Sequence, residues 1–393
     1  MKDVICEETA RLGVRLYHDR LRAVVLTGSL ARNEGTFVKD EQGLRLLGDA
    51  EVMLVFDERV ALPSANALAV IREKIKERIR RRGVHAAVTL AAVGPNYLRR
   101  LPPSIFAYEL RACGETVAGD PTVLGLIPSF TAADIPSEDA WRMLANRLAE
   151  QLESVDELLG GRSTLSPEAH YRTVKLYLDM ATSFLVFVGD YAPTYAERAR
   201  NLVRLAESAG GTTSWPFPLG PFADDVASWT AWKVSTSSLV VDAERVFWER
   251  AMNHAKALWG WELARLQGLD REGTPSALMS RWMRRQPLDT RLRGWAHVAR
   301  ARGWHRSWRL WPRWLRQVWE GSPRHLVYRA ASTLMFELSD GVEDPHLSSR
   351  DLGHLRRDLP VGWWLGESED DSLGTLAGAT LANYRTFLRE TRA

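Results

Sequence analysis

Cysteine is almost missing from this sequence. The two present, Cys6 and Cys113, stand far apart, with neither zinc-site spacing nor the density of a disulfide framework, so reduced intracellular thiols are expected. No apolar run approaches the ~18 residues of a membrane-crossing helix, and the first residues lack the long apolar core of a secretory leader. The expectation is a cytoplasmic protein with no membrane partner. Neither sign of charge is in excess: 52 Lys and Arg against 49 Asp and Glu leave +3, too little to imply a partner unless it is locally concentrated. There is no internal repeat of convincing period and no low-complexity tail. What remains is the composition of a folded globular chain, 45% apolar and 26% charged, and its 393 residues are enough for two or three domains.

The front of the chain alternates helix and strand. Asp3 to Arg20 places Ile5, Leu12 and Leu16 at helical spacing, and Val24 to Thr27 reads as a short buried strand. Asp49 to Phe56 is a second strand. Ser64 to Arg82 is an amphipathic helix with Leu68, Ile71, Ile75 and Ile79 inward, Gly83 stops it, and Val84 to Val93 is a third strand. This order suits a small mixed α/β sheet.

Two stretches within it carry chemistry. In AVVLTGSLARNEG the first strand runs into Gly28 and Ser29 and then a helix start, where glycine permits close backbone approach and the helix end offers free N–H groups and positive dipole to a phosphate. In GDAEVMLVF the two-residue period puts Asp49 and Glu51 on one face, with Cα atoms roughly 6.6 Å apart. Two carboxylates so placed can hold Mg²⁺, which prefers oxygen ligands and completes its octahedron with water and substrate phosphates. The plainer reading is a polar helix cap at Ser29 and two ordinary strand carboxylates, which accounts for each residue but not for their order.

GSLARNEG followed by DAEV resembles the signature of the DNA polymerase β-like nucleotidyltransferase superfamily. The resemblance implies that Gly28 and Ser29, with Arg32 in the same run, grip the phosphates of a nucleoside triphosphate, and that Asp49 and Glu51 bind the metal. It implies transfer of a nucleoside monophosphate, AMP from ATP, onto a hydroxyl of a small molecule, a protein side chain or an RNA end. Members of the superfamily that are catalytic carry another carboxylate on the next strand, and VHAAVTLAAV has none; His85, Ala87 and Thr89 share one face of it. In two-metal transfer the missing ligand weakens activation of the nucleophile. Glu109 is the nearest substitute acid, and it also reads as a helix-surface carboxylate beside Arg111. A degenerate nucleotide-binding protein and an RNA-binding module on the same fold are therefore the alternatives to an active transferase.

Beyond Ser137 the pattern is helical almost throughout. Ser137 opens a helix to about Leu159, Ser166-Pro167-Glu168 opens another with Leu176, Met180, Phe184 and Phe187 on its buried stripe, and Tyr191, Tyr195 and Arg198 lie near a further helix start. In the resembled superfamily such a module forms the acceptor side of the cleft. That makes Lys175, Asp179, Tyr191 and Tyr195 acceptor or triphosphate candidates, beside their ordinary reading as core tyrosines and surface charges. His325 to Leu338 and Leu376 to Thr391 read as helices, with a polar loop near Asp340 to Ser349.

All 16 tryptophans fall at or beyond Trp141, and seven lie between Trp282 and Trp319. Arg281 to Arg316 holds 11 arginines against one aspartate, Asp289. Arginine and indole side by side suit single-stranded RNA or tRNA. The competing reading is a helix pair with tryptophans packed inward and arginines facing water or the acidic run Glu367, Glu369, Asp370 and Asp371, and aromatic packing elsewhere (Trp229, Trp232, Trp248) favours it. The expected architecture is α+β: a nucleotidyltransferase-like domain with a small mixed sheet over 1–125, a helical acceptor domain over 126–270, and a Trp/Arg-rich helical domain over 271–393.

Overall fold

The apolar runs at the front of the chain pair into one five-stranded mixed sheet: β1 (Leu21–Thr27), β2 (Phe37–Asp40), β3 (Gly43–Phe56), β4 (Val84–Val93) and β5 (Glu115–Gly119). The computed structural model describes residues 1–40, 43–161, 163–208, 215–235, 243–269, 273–302, 310–340, 349–360 and 372–390. Strand β3 is longer than expected and organises the sheet. Its first half pairs antiparallel with β2, its second half antiparallel with β1, and its other side parallel with β4, while β5 adds antiparallel to β1.

The strands alternate as their sequences require. Val24, Leu26, Val52, Leu54, Phe56 and Val88 pack on one face, beneath α1 (Lys2–Tyr17) and beside Ile71, Ile75 and Ile79 of the amphipathic helix Ala65–Arg81. Ser64 caps that helix through the Ala67 amide, and Gly83 just beyond it has φ +72°. Ala23, Val25, Met53, Val55 and Val93 pack on the other face with Leu98, Leu101, Ala107 and Leu110. By parity Thr27, Asp49, Glu51 and Thr89 belong to this second face.

The helices after α1 are α2 (Gly28–Ala31), α3 (Ala65–Arg81), α4 (Pro95–Arg99), α5 (Ile105–Cys113), α6 (Ser137–Gln151), α7 (Val155–Leu159), α8 (Pro167–Val188), α9 (Tyr195–Ser208) and α10 (Leu219–Val234). They continue as α11 (Arg245–Leu266), α12 (Pro275–Arg285), α13 (Leu288–Arg302), α14 (Trp311–Glu320), α15 (Pro323–Asp340), α16 (Ser349–Asp358) and α17 (Leu373–Glu390). About 70% of the described residues are helical and 12% lie in strands, and the fold is α+β with a large helical region. No helix among the described residues is long and apolar enough to cross a membrane.

Contacts group the chain into two units. The first comprises Met1–Ala140, Leu185–Gly211 and Leu219–Val241, so α9 and α10 belong with the sheet. The second comprises Trp141–Phe184, Thr212–Pro218 and Asp242–Ala393. Its core is aromatic: Trp141 lies 5.2 Å from Trp259 between ring centres and stacks on His325 at 5.6 Å. Burial holds His325 well below the ordinary histidine range, at about 3, with Arg324 and Arg142 adding to the effect.

Candidate functional site

The site begins with strand register. Pairing of β1 with β3 sets Thr27 opposite Glu51, and β1 ends there. Gly28 leaves the strand with φ +66°, a conformation that glycine adopts without the strain an L side chain meets. A β-carbon on it would stand 2.9 Å from Glu51 Oε2 and 3.0 Å from Cδ. The backbone of the Gly-Ser turn thus lies directly on the Glu51 carboxylate, which also accepts from the Thr27 hydroxyl at 3.3 Å. The two stretches singled out in the sequence meet here.

The helix start after Gly28 is a single turn. It spans Gly28–Ala31, is closed by the Arg32 amide on the Gly28 carbonyl at 3.4 Å, and is followed by Asn33 at φ +58°. One turn aligns too few peptide units for a useful macrodipole, so the dipole expected there is not available. The Ser29 hydroxyl makes no hydrogen bond among the described residues, and the backbone amides of the turn are the other local donors.

Asp49 and Glu51 lie two residues apart on β3, both half-buried. The ladder to β4 is irregular just before them: Arg45 is opposite His85 and Asp49 opposite Ala87, so β3 uses four residues where β4 uses two. Such bulges re-aim side chains. Beyond it Glu51 is opposite Thr89, whose hydroxyl donates to Asp49 Oδ2 at 2.8 Å. Thr89, not a carboxylate, therefore stands beside the acidic pair on this strand. No group of three or more His, Cys, Asp or Glu among the described residues is placed to hold a metal ion.

The remaining candidates divide. Arg32, Glu109 and Tyr195 meet in one buried network of the first unit. Arg32 pairs with Glu34 at 2.7 Å and with Glu109 at 2.5 Å, and lies over the Tyr195 ring at 5.2 Å. Glu109 also accepts from Arg198 and, at 2.8 Å, from the Tyr191 hydroxyl. Arg198 lies over both tyrosine rings, 4.8 Å from Tyr191 and 5.0 Å from Tyr195. Burial opposes the Arg32 charge, but Glu109, Tyr195 and Glu34 together outweigh it and hold its pKa above the ordinary arginine value. Burial raises Tyr191 well above the usual phenol range. Arg111 donates to the Ile127 carbonyl, and Glu109 is held inside this network rather than standing as the surface carboxylate of its plainer reading.

Sequence reasoning missed two members of this network. Glu34 accepts the Tyr195 amide at 2.6 Å, and Lys233 of α10, buried at 1% exposure, donates to the Glu34 carbonyl and the Thr36 hydroxyl at 2.7 and 3.0 Å. A lysine inside the apolar run WTAWKV was the available signal for the latter. Lys175 and Asp179 belong to the second unit, where Lys175 lies 5.8 Å from the Tyr171 ring centre and Asp179 is paired with Arg147 at 2.6 Å.

In the Trp/Arg-rich segment much is committed to packing. Arg291 donates to the carbonyls of Arg284, Gln286, Val318 and Trp319, Arg285 to that of Gln267, and Arg313 to those of Arg356, Arg357 and Leu359. Trp295 and Trp314 are buried and donate to the carbonyls of Gly321 and Pro360. Trp311 and Trp319 are exposed. Trp304, Trp308, Arg306, Arg309 and the acidic run Glu367 to Asp371 lie outside the described residues, as does most of the loop expected near Asp340 to Ser349.

Comparison with models of known families, with curated proteins and with solved structures finds no match for this chain.

Proposed function

We propose that the first unit binds a nucleoside triphosphate with Mg²⁺ and transfers its nucleoside monophosphate, AMP from ATP, to a hydroxyl acceptor. The observation that carries the reading is the contact of the Gly28–Ser29 turn with Glu51, with Asp49 on the same strand face. Phosphate donors and metal-type carboxylates are thereby adjacent. The donor set fits one Mg²⁺: two carboxylates supply part of an octahedron, leaving positions for water and phosphate oxygens. When bound, that ion would neutralise phosphate charge and polarise the phosphoryl group. Asp49 and Glu51 would hold it, Thr89 would fix the Asp49 oxygen, and the turn's amides with Ser29 would orient the phosphates.

A second reading, nucleotide binding without transfer, is favoured by one observation: the neighbouring strand presents Thr89 and no carboxylate beside Asp49 and Glu51, so nothing there would add a ligand for a second metal. Glu109 does not supply one, because both of its carboxylate oxygens are already engaged, one by Arg32 and the other by Arg198 and the Tyr191 hydroxyl. RNA binding along Arg281 to Arg316 draws less support, since several of its arginines and tryptophans already satisfy backbone carbonyls.

The deciding experiment titrates ATP by calorimetry with and without Mg²⁺, on wild type, Asp49→Asn and Glu51→Gln, and assays transfer of label from α-labelled ATP. Mg²⁺-dependent binding lost in both variants supports the site. Label transfer by wild type then selects the transferase, and binding without it the second reading. No ATP binding, or binding indifferent to both substitutions, overturns the proposal.

A further inference from the structure

The second unit contains a cavity that the nucleotide reading does not use. It lies where α11, α12 and α15 converge and has a volume of about 240 Å³. Its apolar side is formed by Trp259, Met279 and Phe336, all buried. Its polar side carries Lys256, Arg329 and Thr333, with Glu337 the single carboxylate among the lining residues.

The donors are only partly used. Arg329 commits one terminal nitrogen, Nη2, to Asp358 at 2.6 Å and Glu320 at 3.2 Å; its Nε and Nη1 make no hydrogen bond among the described residues. Among the described residues Lys256 pairs only with Asp340, and its ammonium carries three protons. The Thr333 hydroxyl likewise has no partner among the described residues. Asp340, Glu320 and Asp358 are not cavity-lining residues, so the lining itself holds two cations against one anion. The α12 terminus adds to this sign: Thr274 caps the Ala277 amide, Pro275 has no N–H, and Ser276 presents the next one at the positive end of an 11-residue helix.

We propose that this cavity binds a small organic anion: an aryl or short alkyl body on Trp259, Met279 and Phe336, and a carboxylate or phosphate head on Lys256 and Arg329. An apolar recess with a few convergent polar groups is the usual form of a small-molecule site. The planar edge of a guanidinium suits an oxyanion with two acceptor oxygens, which is the chemistry carboxylates and phosphate monoesters share. The volume limits the body to about one ring or a short chain. This inference is independent of the nucleotide site, because every residue it uses belongs to the second unit.

The test is calorimetric titration of the full chain with 3-phenylpropionate, phenyl phosphate, inorganic phosphate and neutral 3-phenylpropanol. One or both aromatic anions are expected to bind with one-to-one stoichiometry, and their order identifies the head group. Inorganic phosphate and the alcohol should each bind at least about tenfold more weakly than the better of them, having lost either the apolar contact or the charge. Lys256→Gln, which removes only a partly exposed ion pair, and Thr333→Met, which fills the recess, should each weaken the aromatic anion about tenfold or more. If Thr333→Met fails to fold, Lys256→Gln with the alcohol control still decides. No binding of either aromatic anion at about 1 mM, equal binding of the alcohol, or affinity unchanged in Lys256→Gln overturns the proposal.

Discussion

Gly28 lies so close to Glu51 that its missing side chain is what lets the two coexist: a β-carbon there would stand 2.9 Å from the carboxylate oxygen. The turn and the acid strand are therefore one structural object. Gly28→Ala must both adopt φ +66° and displace the Glu51 carboxylate, so it should lower stability by about 1–2 kcal/mol. It should also weaken Mg²⁺-dependent ATP binding more than Ser29→Ala does. Urea unfolding and calorimetry on the two variants check this, and equal effects would count against the contact as the organiser of the site.

Thr89 offers a test of what the site lacks. Thr89→Asp places a third carboxylate beside Asp49, within the reach now spanned by a 2.8 Å hydrogen bond. Three acids at close range repel in the absence of a cation, so the variant should melt below wild type in chelator and gain more from Mg²⁺ than wild type gains. A thermal shift indifferent to Mg²⁺ in both proteins would argue that no ion binds here.

Glu109 anchors two buried arginines. Glu109→Gln leaves Arg198 and Arg32 with less compensation in a desolvated setting, and a loss of about 3–5 kcal/mol in urea unfolding is expected. Adding Arg198→Met should recover part of that loss, since it removes one of the stranded charges. A Glu109→Gln variant as stable as wild type, yet unable to transfer label, would instead mark Glu109 as a chemical participant.

Glu262 on α11 gives the second unit a pH dependence. It is fully buried, accepts from the Ser183 hydroxyl at 2.6 Å through Oε1, and has no partner at Oε2 among the described residues. Burial raises its pKa to about 8, against a lowering by Ser183 that is smaller. A group raised in the folded state is neutral in both states at low pH and ionises first in the unfolded chain. Its contribution to stability is thus fully present below the unfolded value of 4.5 and is lost as pH rises to about 8. Glu262→Gln should flatten this part of the stability profile in denaturant titrations between those limits. An identical slope in wild type and variant would remove the assignment.

Periodicity and punctuation carried the local structure. The strand expected at Val84 to Val93 is observed with those bounds, Ser64 caps the helix that Gly83 ends, and of the expected stripe Leu176, Met180 and Phe184 are buried while Phe187 is half-buried. The shared face of Asp49 and Glu51 followed from the two-residue period alone. These features depend on neighbours a few positions away, which the sequence lists in order.

What required the tertiary structure is whatever depends on register and on returning chain. The irregular ladder that brings Thr89 to Asp49, the ending of the expected helix after one turn at Ala31, and the joining of α9 and α10 to the sheet leave no local pattern. Glu109 reads identically whether it faces water or two arginines, and Arg291 reads like every other arginine of its run. Which of those charges is desolvated is set by contacts between residues far apart in the chain, and the energy of such a contact belongs to neither residue alone.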